Sequence, residues 1–134
     1  MFSHVMVGAN DIDASKRFYD AVMGALGISP GTVVGGKRVI YMAASGMFAI
    51  SKPINGERAS CANGGTIGFT AASPEQVNAW HEAGLANGGT TCEDPPGLRE
   101  SRFGSAYAAY LRDPVGNKIC ASSPEQSRTA SASG

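Results

Sequence analysis

The chain has 134 residues, a length that suits one domain, and its eleven basic and eleven acidic side chains cancel to a formal charge of zero. No basic block stands out, so nothing predicts electrostatic capture of nucleic acid or of an anionic membrane. Apolar runs such as Val39-Ile40-Tyr41-Met42-Ala43-Ala44 are too short to span a bilayer, and residues 1–20 carry Asp11, Asp13 and Asp20 with no apolar signal core, so no secretory peptide is expected.

In chain order, Ser3-His4-Val5-Met6-Val7-Gly8-Ala9 reads as a strand buried on at least one face. A helix is predicted from Asp11 or Asp13, whose carboxylates can cap free N–H groups, with Ala14, Phe18, Ala21, Val22 and Ala25 on its apolar face. An irregular strand near Gly31–Val34 follows, then strands at Lys37–Ala44 and Met47–Lys52 joined by the Ser45-Gly46 turn. From Gly65 the pattern repeats. Gly65-Thr66-Ile67-Gly68-Phe69-Thr70-Ala71 aligns without gaps on residues 3–9, and the offset then pairs Phe18 with Trp80, Asp20 with Glu82 and Gly27 with Gly89.

The second helix has a clearer start. Ser73 suits the N-cap, Pro74 the first helical position and Gln76 a capping box, while Val77, Trp80, Gly84 and Leu85 form the inner stripe and Gly88 ends it. An irregular strand near Gly89–Glu93 and a loop over residues 95–104 lead to strands at Ala106–Arg112 and Asn117–Ser122. Asp113-Pro114-Val115-Gly116 joins them as a turn, since Pro presets φ and Gly tolerates a positive one. The expectation is an α+β fold of two paired βαβββ modules within a single domain over 1–122, the modules at about 2–56 and 64–122. The Ser- and Ala-rich tail over 123–134 is expected to be mostly disordered.

Strand alternation sorts the side chains. With Val5, Val7, Ile67 and Phe69 under the helices, His4, Met6, Thr66 and Gly68 point to the opposite face. Phe48, Ile50, Ile119 and Ala121 read as core, leaving Met47, Ala49 and Cys120 on the other side. The repeat therefore relates His4 to Thr66 and Ala49 to Cys120, and all four are expected to converge on a cavity.

The two copies, Phe18-Tyr19 on the first helix, and above all Tyr110-Leu111-Arg112-Asp113-Pro114-Val115-Gly116-Asn117-Lys118-Ile119 resemble the glyoxalase/bleomycin resistance/dioxygenase superfamily, also called vicinal oxygen chelate. The resemblance covers residues 2 to about 122. It implies modules that curl an open mixed sheet around a cavity, and frequent homodimers. It also implies that metalloenzyme members place His or Gln at the module starts and Glu or His on the last strands, at the four positions just derived. His4 matches that pattern. Ala49 offers no ligand atom, Thr66 is a poor ligand, and Cys120 stands where Glu is usual, so only His4 and Cys120 have metal-binding side chains, and a divalent metal or other cofactor is disfavoured.

Other residues extend the candidate ligand-binding set. Arg99 and Arg102, in the loop before the penultimate strand, suit recognition of a carboxylate or phosphate. Tyr107 and Tyr110 stand three apart on one strand, so only one can face the cavity; Tyr110 joins the set. The three cysteines, Cys61, Cys92 and Cys120, lack C-x-x-C spacing and point to a reduced, cytoplasmic setting. His81 reads as a helix-flank residue. The function expected is binding of a small organic molecule in the cavity, as in bleomycin resistance, without a complete metal site. The alternatives are a metal-dependent lyase or isomerase resembling lactoylglutathione lyase and, less favoured, a ring-cleaving dioxygenase.

Overall fold

The computed structural model describes residues 1–124. The first module comprises β1 (His4–Gly8), α1 (Ile12–Ala25), β2 (Thr32–Val34), β3 (Arg38–Ala43) and β4 (Gly46–Ser51). The second comprises β5 (Ile67–Thr70), α2 (Pro74–Ala86), β6 (Thr90–Thr91), β7 (Gly97–Ser101), β8 (Gly104–Arg112) and β9 (Lys118–Pro124). Each module forms its own mixed sheet, in the orders β1-β4-β3-β2 and β5-β9-β8-β6, with β7 also paired to β8. In each, the first and last strands run parallel and the other pairs antiparallel.

The internal repeat is exact in hydrogen-bond register. Val5 lies opposite Phe48 as Ile67 lies opposite Ile119, and Met6 opposite Ala49 as Gly68 opposite Cys120. Ala49 and Cys120 are thus equivalent, as expected. Thr66 keeps the offset to His4 but precedes the first residue of β5.

Both helices begin where the capping chemistry places them. Asp11 Oδ1 accepts from the Ala14 N–H at 3.0 Å, and Ser73 Oγ from the Gln76 N–H at 3.2 Å. Gln76 reaches back to the N–H of Ala72, one residue before the cap. The buried stripe of α1 is Ile12, Ser15, Phe18, Tyr19, Val22 and Met23. Ala14 is exposed and Ala21 and Ala25 are half-buried, so the stripe lies to one side of the predicted one, because the larger side chains take the centre. On α2, Val77, Trp80 and Gly84 are buried but Leu85 is exposed. Gly84 is where the layers close in: a methyl group there would lie 2.3 Å from Leu111 Cδ1 and 3.2 Å from Val22 Cγ1. The helix-side faces of both modules share one core, joined where the Phe48 and Phe69 rings meet edge to face at 5.2 Å.

The turn before β9 does more than reverse the chain. Asp113 Oδ1 accepts from the N–H groups of Val115, Gly116 and Asn117, each at 2.9 Å. Its other oxygen accepts from Tyr19 Oη at 2.6 Å and Asn117 Nδ2 at 2.9 Å, and Asn117 also reaches the Gly8 carbonyl at 3.3 Å. One buried carboxylate therefore ties the second module's turn to α1, while Asn117 ties it to β1.

Two expectations change. Residues 95–104 are not one loop, because Gly97–Ser101 form β7 and pair with Gly104–Ala108 in a hairpin turned at Gly104, whose φ is +116°. Pro95 and Pro96, which lack N–H donors, separate β7 from β6, and Glu93 between them adopts a positive φ of 60°. The polar letters of β7 conceal a strand that serves as an edge. The last strand also runs to Pro124, so Ser123 and Pro124 of the expected tail belong to β9; the rest of that tail lies outside the described residues. Among the described residues no helix is long and apolar enough to cross a membrane.

Candidate functional site

The faces of the two sheets turned away from the core carry different chemistry. In both modules the last strand is central, so its outward residue is hemmed in on both sides. Ala49 stands between Met6 on β1 and Ile40 on β3, and it has no exposed surface. Cys120 stands between Gly68 on β5 and Tyr110 on β8 and is also buried, but the space where a Gly68 side chain would sit is open.

Around Cys120 the structure brings together two residues that the sequence singled out, Tyr110 and Arg99, and adds Lys118. Tyr110 is its cross-strand partner, and the Arg99 guanidinium, carried by β7, lies 5.7 Å from the Tyr110 ring centroid. Lys118, on β9, lies 5.2 Å from the same centroid and is ion-paired to Glu93. Arg99 is further fixed by the carbonyls of Asp94 and Pro95 at 2.9 and 3.0 Å. Burial pushes the Cys120 thiol above its ordinary pKa, against the opposing pull of the Tyr110 hydroxyl. Burial, and then the thiol, likewise raise Tyr110. This thiol is therefore held protonated at neutral pH, which argues against a nucleophilic role. Tyr107 turns to the helix side, where its hydroxyl donates to Asn78 at 2.8 Å.

The remaining candidates lie elsewhere. Arg102 sits exposed at the tip of the β7–β8 hairpin with its guanidinium 5.6 Å from the Phe103 ring, away from the Arg99 group because the hairpin projects it outward. Thr66 is exposed just ahead of β5. His4, exposed and hydrogen-bonded through Nδ1 to Ser3 Oγ at 2.8 Å, rims a crevice of about 260 Å³. That crevice is largely apolar, with Met23, Leu26, Phe48 and Phe69 among its walls, and it includes Gly68 but neither Ala49 nor Cys120. Of the four positions related by the repeat, this crevice takes in only His4. His81 is half-buried on α2, where burial lowers its pKa against the Glu82 carboxylate, beside a Trp80 whose indole N–H is buried without a partner.

A further concavity, more roomy than the crevice at His4, is one that sequence reasoning missed. A cleft of about 980 Å³ opens where the ends of β1 and β4 and the start of β3 meet the segment 53–58. Met6, Arg38 and Ser51 form its sheet side, and Ile54, Glu57 and Arg58 stand on the facing segment. Arg38 Nε donates to the buried Ser51 Oγ at 3.4 Å, which orients the guanidinium on the sheet. The segment's far end is fastened by Asn10, whose Oδ1 accepts from the Ala59 N–H at 2.7 Å and whose Nδ2 donates to the Ala59 carbonyl at 3.3 Å. Gly8 permits this closure, since a methyl there would lie 2.8 Å from the Ala59 Cβ. The one trace in the sequence was the cations at two strand ends of the first module, Lys37-Arg38 at the start of β3 and Lys52 just after β4.

The family model described as Glyoxalase/Bleomycin resistance protein/Dioxygenase superfamily matches residues 1–121. The chain belongs to this superfamily. A crystal structure of a glyoxalase/bleomycin resistance protein from Albidiferax ferrireducens is similar at 58% identity with a TM-score of 0.90, the match covering 92% of this chain and 98% of that one. Lactoylglutathione lyase from Agrobacterium tumefaciens is similar at 21% identity with a TM-score of 0.63, covering 92% of each chain. A glyoxalase/bleomycin resistance protein/dioxygenase family enzyme from Burkholderia phytofirmans is similar at 18% identity with a TM-score of 0.69, covering 91% and 97%. At those lower identities the likeness is one of fold. No curated protein matches the chain.

The superfamily includes metalloenzymes, and the donor chemistry here can be tested against their pattern. Of the four positions, one offers an imidazole, one a buried thiol, one a hydroxyl and one a methyl group. Among the described residues no three His, Cys, Asp or Glu side chains are grouped to hold a metal ion. The residues do not fit a divalent site of the kind the superfamily uses, and no chemical step is derived through one.

Proposed function

We propose that this superfamily member binds a small organic molecule over its first-module sheet and that a catalytic metal plays no part. The observation that carries this reading is the cleft of about 980 Å³ between the sheet and the fastened segment 53–58. Its size suits a small ligand, and it combines apolar side chains with a few polar ones, the usual composition of such sites. The Arg99–Tyr110–Cys120 group on the second sheet offers a further contact surface, with an aromatic ring braced by two cations. The lyase alternative requires a carboxylate as ligand and base at the positions that carry Ala49 and Cys120, which weighs against it.

Two measurements test the proposal. Titration of the purified protein with zinc, nickel, manganese and iron is expected to show no stoichiometric binding; tight binding lost in His4→Ala refutes the metal-free reading. A screen of small organic compounds is expected to raise the melting temperature with some of them, and a screen in which none does so refutes the binding reading. We also propose a homodimer, on the habit of the superfamily. Light scattering that returns a monomer mass at working concentration refutes it.

A further inference from the structure

The chain as a whole is neutral, but its charges are not evenly spread. Lys37, Arg38, Lys52 and Arg58 all line the 980 Å³ cleft, and among the described residues Glu57 is its only carboxylate. Glu57 is already engaged, accepting from Asn55 Nδ2 at 3.1 Å within the facing segment. Among the described residues none of the four cations is ion-paired; the pairs found are Lys16–Asp20 and Lys118–Glu93, both outside the cleft. Like charges gathered in one concavity repel, and a bound anion relieves that repulsion.

The walls of the cleft are also preorganised for such a ligand. Arg38 is half-buried and oriented by Ser51, so less side-chain freedom is lost when it engages an oxyanion. Arg58 stands one residue before Ala59, whose backbone is clasped on both sides by Asn10, so its anchor point is fixed although its side chain is exposed. Met6 and Ile54 are exposed apolar side chains in the same lining. An acid group has cations to meet, and an organic body has apolar surface to cover.

We propose that this cleft recognises a small organic anion, a carboxylate or a phosphate ester, with its acid group at Arg38 and Arg58 and its apolar body on Met6 and Ile54. This deepens the function proposed above and rests on it. A charge-assisted bond to a guanidinium is strong enough that losing one weakens binding about tenfold or more.

The test uses matched probes on the intact chain: benzoate against benzamide, phenyl phosphate against phenol, and inorganic phosphate alone, each titrated by calorimetry. At least one acid is expected to bind more tightly than its neutral partner, and its affinity should fall as ionic strength rises. Better binding of phenyl phosphate than of inorganic phosphate would support an organic body on Met6 and Ile54, and the reverse would overturn that part. Arg58→Gln, an exposed substitution that leaves the fold alone, should weaken the bound acid about tenfold and leave a neutral compound unchanged. Arg38→Gln should act in the same direction. Neutral probes that bind as well as the acids, or an Arg58→Gln variant with unaltered affinity for them, would overturn the inference while leaving small-molecule binding intact. Failure of both acids and neutral compounds, here and in the wider screen, would overturn both.

Discussion

Replacing Tyr19 by phenylalanine removes a single oxygen from the most connected polar group in the core. That oxygen donates to Asp113 Oδ2 at 2.6 Å, and both residues are buried. A hydrogen bond to a charged acceptor contributes about 1.5–3 kcal/mol. The lower part of that range applies, because Asn117 Nδ2 still serves the same oxygen and three backbone N–H groups serve the other. A loss of about 2 kcal/mol should lower the melting temperature of a chain this size by about 5–8 °C. Urea unfolding at pH 7 should move the midpoint without changing the slope, since the surface exposed on unfolding is unaltered. The same substitution made on an Asp113→Ala background should cost almost nothing, because its partner is gone. A cost below about 0.5 kcal/mol in the native background, or an equal cost in both backgrounds, would refute the assignment of Tyr19–Asp113 as the tie between modules.

Two further outcomes follow from local geometry. The Asp20 carboxylate tends upward through burial, but Lys16, the Gly31 N–H and the Tyr41 hydroxyl outweigh this and lower its pKa. Its contribution is therefore present above the unfolded-state value and lost as the pH falls through the folded one, so Asp20→Asn should cost about 1 kcal/mol at pH 7 and progressively less in acid. A cost that stays constant from pH 7 to below 3 would contradict this. Thiol labelling in the native state should proceed rapidly at exposed Cys61 and about a hundredfold more slowly at buried Cys120, whose thiol is pushed up by burial. Equal rates, assigned with Cys120→Ser, would show that the second sheet's face is more open than its geometry implies.

Much of the architecture was legible because it depends on neighbouring residues. Caps at Asp11 and Ser73 need only a side chain three residues from an N–H group, and the Asp113–Asn117 turn satisfies itself locally. The duplicated registers were legible for a different reason: two alternating patterns align only if their core rows agree. What escaped was set by long-range closure. The strand β7 reads as a polar loop, since its ladder to β8 is a property of the partner rather than of its own letters. The cleft escaped because Arg38 and Arg58 are brought together by the Asn10–Ala59 clasp, and nothing local in either arginine announces it.

The two rows of each strand obey different constraints, and this explains how a duplicated fold comes to carry unlike surfaces. The inner rows must fill one shared core, so Val5 and Ile67, Val7 and Phe69, and Phe48 and Ile119 remain apolar in both copies. Exchanging any of them for a polar group would strand it in that core at a cost of several kcal/mol, roughly 2–7 by transfer measurements. The outer rows face no such requirement. There Met6 stands for Gly68, Ala49 for Cys120 and Ile40 for Tyr110, and each exchange alters the surface without disturbing the register beneath it. The first module is left with a cation-lined cleft on an apolar sheet, and the second with a tyrosine near both Arg99 and Lys118 beside a buried thiol. A scaffold whose outer row can vary while its packing row stays apolar can change its surface chemistry without refolding, which is the physical basis for arguing function here from the outer row rather than from the fold.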